Sequence, residues 1–80
     1  GAKICLRFIE EGVEGIVFGN IYALVLKGNK KTLRWVVNCD EDTKIRLIPE
    51  NKDIKFGNNQ DVFKSDVISV YKVEVVENPI

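Results

Sequence analysis

Histidine is absent from this 80-residue sequence. With it go the commonest general base, the commonest metal ligand and every Ser-His or Cys-His arrangement. Two cysteines without histidine make a zinc site improbable on ligand count alone, and they are too few for a disulfide scaffold. Their strand phases also disagree. In "KICLRFI", Ile4, Leu6 and Phe8 share one face and leave Cys5 on the other with Lys3 and Arg7. Cys39 falls in phase with Leu33, Trp35 and Val37, so both thiols are expected free, Cys39 as a small core residue.

No apolar run reaches the roughly 18 residues of a membrane span. The longest apolar region, "GIVFGNIYALVL", is interrupted at Gly19-Asn20 and reads better as strand, so no membrane association is expected. Methionine is missing and the sequence opens "GAKI", which reads as a processed chain or an excised domain; cytoplasm is the default location. No Asn-x-Ser/Thr acceptor hints at secretion. Phosphate-binding glycine loops are missing too. "GNKKT" lacks the upstream glycine of a P-loop, and "GVEGIVFG" does not have dinucleotide spacing. The acids Glu10, Glu11, Glu14 and Asp40, Glu41, Asp42 lack the glycine and distal glutamate of a calcium loop and read as solvated turns. These absences leave no catalytic, metal-binding or cofactor-binding residue to assign, and a non-enzymatic role is expected.

Charge of one sign is lacking as well. Twelve basic residues balance twelve acidic ones, at a pI near 6.4. A domain that lives on nucleic-acid phosphates usually carries a basic excess.

What is present is a period of two. "TKIRL" (43–47), "DIKF" (53–56) and "YKVEV" (71–75) alternate polar and apolar residues, the pattern of half-buried strands. Turn signals recur at Glu11-Gly12, Gly19-Asn20, Gly28-Asn29, Asp40 to Asp42, Pro49 to Lys52 and Gly57 to Asn59. At 45% hydrophobic and 30% charged, the composition is that of a globular domain rather than a disordered chain. The expected fold is all-β: residues 1–80 as a single small antiparallel barrel or sandwich of five to six strands, SH3-like or OB-like. In "QDVFKSDVISVY" a helical spacing competes. We expect at most one short helical turn near residues 61–66 and a last strand from about 68 to 76, because the β-branched run "VISVYKVEVV" disfavours a helix. The "NPI" end is expected to fray.

Pairing across the turns gives registers. A three-residue loop at Asp40–Asp42 sets Val37 against Ile45 and Trp35 against Leu47, which makes Trp35 a core anchor and puts Arg34, Lys44 and Arg46 outside. At Gly28-Asn29, a two-residue type II′ turn sets Tyr22 against Trp35 and Leu24 against Leu33. A three-residue turn instead brings Ile21, Ala23 and Val25 inward. Both faces of "IYALVL" are apolar, so the strand near 16–26 is either central to a closed β structure or covered by a partner.

The function expected from these features is protein binding or assembly, through self-association or a protein partner that the sequence does not name. The alternative is a nucleic-acid-binding small β-barrel. Lys27, Lys30, Lys31, Arg34, Lys44 and Arg46 would form its basic hairpin face, the candidate interaction surface. Nucleic acid is the less favoured partner because Trp35 sits out of phase with Arg34.

Overall fold

The computed structural model describes residues 2–49 and 59–77. Their elements are β1 (Ala2–Phe8), the 3₁₀ turn η1 (Gly12–Gly15), β2 (Asn20–Leu26), β3 (Lys30–Asn38), β4 (Lys44–Pro49), β5 (Gln60–Phe63), the 3₁₀ turn η2 (Lys64–Asp66) and β6 (Val67–Glu77). All six strands belong to one antiparallel sheet, in the order β1-β6-β2-β3-β4-β5. The all-β class, the strand number and the short helical turn at 64–66 follow the sequence pattern, whereas η1 is a second such turn where at most one was expected. The strand expected at 53–56, the turns within 50–58 and the 78–80 end lie outside the described residues. Among the described residues no helix is long and apolar enough to cross a membrane.

The short link between β5 and β6 dictates the curvature of the sheet. In a flat sheet, four spacings of about 4.8 Å would hold these strands about 19 Å apart. Residues 64–66 span at most about 10 Å. The sheet must therefore roll up, and η2 is tied at both ends of the gap: Lys64 N–H donates to the Thr43 carbonyl at 2.8 Å, and Lys27 N–H donates to the Asp66 carbonyl at 2.8 Å. A bulge where β6 leaves η2, between the pairs Val25–Ser69 and Leu26–Val67, sharpens the bend. The edge strands β1 and β5 are not paired with each other, so the ladder stays open.

The core fills the inside of this roll. Tyr22, Leu24, Val36, Ile45, Leu47 and Val70 are fully buried, with Ile9, Leu26 and Val62 nearly so. Each such side chain stabilises the fold by about 1.5–3 kcal/mol through burial. Val13 and Ile16, flanking or within η1, pack against one end. Gly15 is needed there because a Cβ would stand 2.5 Å from Ile9 Cγ2. The Tyr22 hydroxyl is buried in this wall and accepts a hydrogen bond from Val17 N–H at 2.8 Å.

Strand β3 departs from the expected phase. The loop between β3 and β4 is longer than Asp40–Asp42, and the ladder begins at Asn38–Ile45. Val36 then opposes Leu47, Val37 opposes Arg46, and Trp35 opposes Ile48 rather than Leu47. A slip of one residue moves a strand's whole side-chain set to the other face. Val36 is thus the buried residue of β3, at 0% exposure, while Trp35 is 37% exposed and is not the core anchor. The longer loop buries Cys39, its thiol donating to Asp61 Oδ2 at 3.6 Å, and closes a turn from Lys44 N–H to the Glu41 carbonyl at 3.1 Å.

The preceding turn uses three residues, Lys27 to Asn29, with Leu26 opposite Lys30. Gly28 and Asn29 both have positive φ, 84° and 63°, which a type II′ turn does not require of its second residue. Tyr22 opposes Arg34 rather than Trp35, and Leu24 opposes Thr32 rather than Leu33. The three-residue turn is the one formed, but Ile21, Ala23 and Val25 face outward rather than inward, and Tyr22, Leu24 and Leu26 are the buried set.

Both cysteines are free, Cys5 exposed and Cys39 buried. A thiol reagent should modify Cys5 at once in the folded protein and Cys39 only on unfolding. Two fast thiols under native conditions would contradict the packing of the β3–β4 loop.

Candidate interaction surface

The registers place one side-chain set of the sheet outside the roll, and it is mostly apolar. Across the strands run the rows Phe8–Tyr71–Ala23–Leu33 and Ile21–Trp35–Ile48, with the pairs Leu6–Val73 and Ile4–Val75 beside them. Phe8 and Tyr71 meet as a tilted aromatic pair, with ring centroids 5.5 Å apart. Ile4, Leu6, Phe8, Leu33, Trp35 and Val75 are each between 37% and 72% exposed. A large apolar side chain presents roughly 150–250 Å² when free, so these six leave on the order of 600 Å² uncovered. The largest apolar patch of an ordinary monomer is about 300–600 Å².

This surface is dented at its centre. Ala23, the small residue between Tyr71 and Leu33, opens a groove of about 490 Å³ whose walls include Leu6, Val25, Leu33 and Tyr71. β2 and β6 build it because their outward positions are apolar along their length, from Ile21 to Val25 and from Tyr71 to Val75.

The six basic residues do not share a face. Lys31 pairs with Val25, and Arg46 with Val37, on the outer side. Lys44 joins them two residues from Arg46. Lys30 and Arg34 stand opposite Leu26 and Tyr22 on the other side, and Lys27 lies in the turn. The same slip that turned Trp35 outward separated Arg34 from Arg46. Trp35 consequently shares its face with Lys31, Lys44 and Arg46.

Two of those three cations are engaged. The Arg46 guanidinium grips Asp61 with two bonds, Nε to Oδ1 at 2.9 Å and a second nitrogen to Oδ2 at 3.2 Å. The hydrogen bond and charge of Arg46 hold the Asp61 carboxyl below its usual range, and the same pairing raises Arg46. Lys44 Nζ sits 3.3 Å from Glu41 and 4.8 Å from the Phe63 ring centre. The Arg34 guanidinium donates to the neighbouring Leu33 carbonyl at 2.8 Å. The apolar residues of the surface are readable in the sequence as β-strand residues, but nothing local says that they point to solvent. No known family model, curated protein or solved structure matches this chain.

Proposed function

We propose that the chain is a non-enzymatic assembly module that pairs with a second copy of itself through the outer face of its sheet. The observation that carries this is the set of apolar rows across β1, β6, β2 and β3, from Phe8–Tyr71–Ala23–Leu33 to Ile4–Val75. A standard interface needs about 800 Å² per partner. The six exposed residues supply most of that area, and the half-buried Ile21, Val25, Ile48, Tyr71 and Val73 make up the rest. An identical apolar face is a fitting partner because the pairs Phe8–Tyr71, Leu6–Val73 and Ile4–Val75 carry no charge to bury. Lys44 and Arg46 lie toward the β4–β5 end and Lys31 lines the groove opposite Val25, so a two-fold arrangement centred on β1 and β6 keeps the two sets apart. The barrel-or-sandwich architecture would then be divided. Each sheet rolls around its own core as an open barrel, and two outer faces stack about 10 Å apart as sandwich layers.

Light scattering and sedimentation across a dilution series test this reading. The expected mass at high concentration is twice the 9.1 kDa of one chain, relaxing to one chain on dilution. A constant single-chain mass up to roughly millimolar protein, the weakest association on the usual affinity scale, would overturn it.

One observation favours a second reading, a nucleic-acid surface: Trp35 and the cations Lys31, Lys44 and Arg46 occupy the same face, as stacking surfaces require. The acids Asp61 and Glu41 already hold two of those cations. We expect oligonucleotide binding no tighter than the roughly 10⁻⁴–10⁻⁶ M of non-specific contacts at physiological salt. A sub-micromolar, steeply salt-dependent dissociation constant, lost in Lys31→Gln/Arg46→Gln, would put this second reading first.

A further inference from the structure

Strand β1 differs from the other five in contributing nothing to the core: each side chain from Lys3 to Phe8 is exposed. It is an edge strand whose one neighbour among the described strands is β6. Its register against β6 runs seven pairs without a shift, from Ala2–Glu77 to Phe8–Tyr71, and it contains no proline or glycine. The opposite edge is guarded by being short: β5 has four residues, with Asp61 locked to Arg46. Short edges, bulges, prolines and edge charges are how sheets avoid unwanted pairing, and of these β1 has only the charges Lys3 and Arg7. Among the described residues nothing pairs with the backbone N–H and C=O groups along its other side.

The two faces of β1 specify what would fit there. Ile4, Leu6 and Phe8 stand at alternate positions on the outer face. On the other face are Lys3, Cys5 and Arg7, with Lys72 opposite Arg7 and Glu74 opposite Cys5. Glu74 accepts from Arg7 Nε at 3.0 Å, which leaves three cations against one acid. A second β1 strand brought to this edge would set Lys3 and Arg7 of one chain near those of the other, and facing like charges oppose pairing.

We propose that the free edge of β1 takes an extended segment of another protein as a seventh strand. That segment carries apolar residues beside Ile4, Leu6 and Phe8 and acidic residues beside Lys3 and Arg7. Backbone hydrogen bonds supply the affinity, and the alternating side chains select the sequence. Face-to-face dimerisation leaves these backbone groups free, so strand addition does not depend on it.

The test uses the whole chain, isotope-labelled, with two synthetic seven-residue peptides that match the length of β1, one alternating valine with glutamate and one alternating valine with lysine. The glutamate peptide should slow amide exchange and shift resonances along β1. It should bind about tenfold more tightly than the lysine peptide, as two favourable cross-strand charge pairs allow. Lys3→Glu/Arg7→Glu changes only exposed side chains and should reverse that preference with the melting curve retained. Equal affinity for both peptides, no binding of either, or shifts confined to β5 would overturn the proposal. Mass measured without peptide reports on the dimer separately, so failure of one reading is distinguishable from failure of the other.

Discussion

Leu47→Ala is expected to remove a large part of the folding free energy and to leave the protein partly unfolded at physiological temperature. Leu47 is 1% exposed and faces Val36 across the ladder, inside a cluster with Ile45, Val62 and Tyr22. Deleting such a side chain loses its transfer energy and leaves a cavity, about 2–5 kcal/mol together. A domain of this size has roughly 4–12 kcal/mol in total at the usual stability per residue. Its one sheet offers few alternative layers that could collapse into the void. Denaturant unfolding at low protein concentration would measure the loss. A midpoint unchanged from the parent would mean that Leu47 does not line the core.

Trp35→Ala should behave in the opposite way, with little loss of fold and a large loss of association. Size alone would rank this substitution first, since truncating a buried tryptophan costs about 3–5 kcal/mol. Trp35 is more than a third exposed, and its cross-strand neighbours are Ile21 and Ile48. Two such pairs are worth about 0.2–1 kcal/mol each, so the dilute, monomeric protein should lose less than about 2 kcal/mol. In the dimer, an aromatic amid an apolar surface has the character of an interface hot spot, where truncation costs about 2 kcal/mol or more. That corresponds to a dissociation constant weakened about thirtyfold. If Trp35→Ala unfolds the monomer while association of the folded fraction is unchanged, the outer face is not the contact surface.

Trp35 also shows what the sequence could and could not convey. The strands themselves, the helical turn at 64–66 and the free thiols follow from period, turn residues and phase, which are local properties. The first part of β4 was readable because Lys44 and Arg46 point outward, so Ile45 and Leu47 have only one side to hide on; its end was not, since Ile48 also faces outward and Pro49, expected in a turn, closes the strand. β3 offers the opposite lure. Leu33, Trp35 and Val37 make the more apolar of its two faces, and the ordinary inference sends that face inward. The structure sends in Val36, with Thr32 and Arg34 on its side. The rule that apolar residues turn inward fails where a face waits for a second molecule, so the residues that form the candidate surface are the ones that suggested the wrong register. The basic residues suffered the same way: their charges were legible, but their division between two faces rested on a loop longer than its turn signals suggested.

The pairing of Ala2 with Glu77 carries a further consequence, for the order of folding. The β2-β3-β4 meander closes over short loops, so its contacts can form early. The β1 ladder has to bring together segments from opposite ends of the sequence, and it gains no buried side chain when it does. During synthesis β1 emerges before β6, and at about 5–20 residues per second it waits several seconds for the strand it must join. Ile4, Leu6 and Phe8 stay unpaired for that interval. Opening of the folded protein should retrace the route, with β1 detaching while the roll behind it persists and its amides exchanging well ahead of those in β2 and β3. For this chain the slow step in folding and the first step in unfolding would involve the same seven residues.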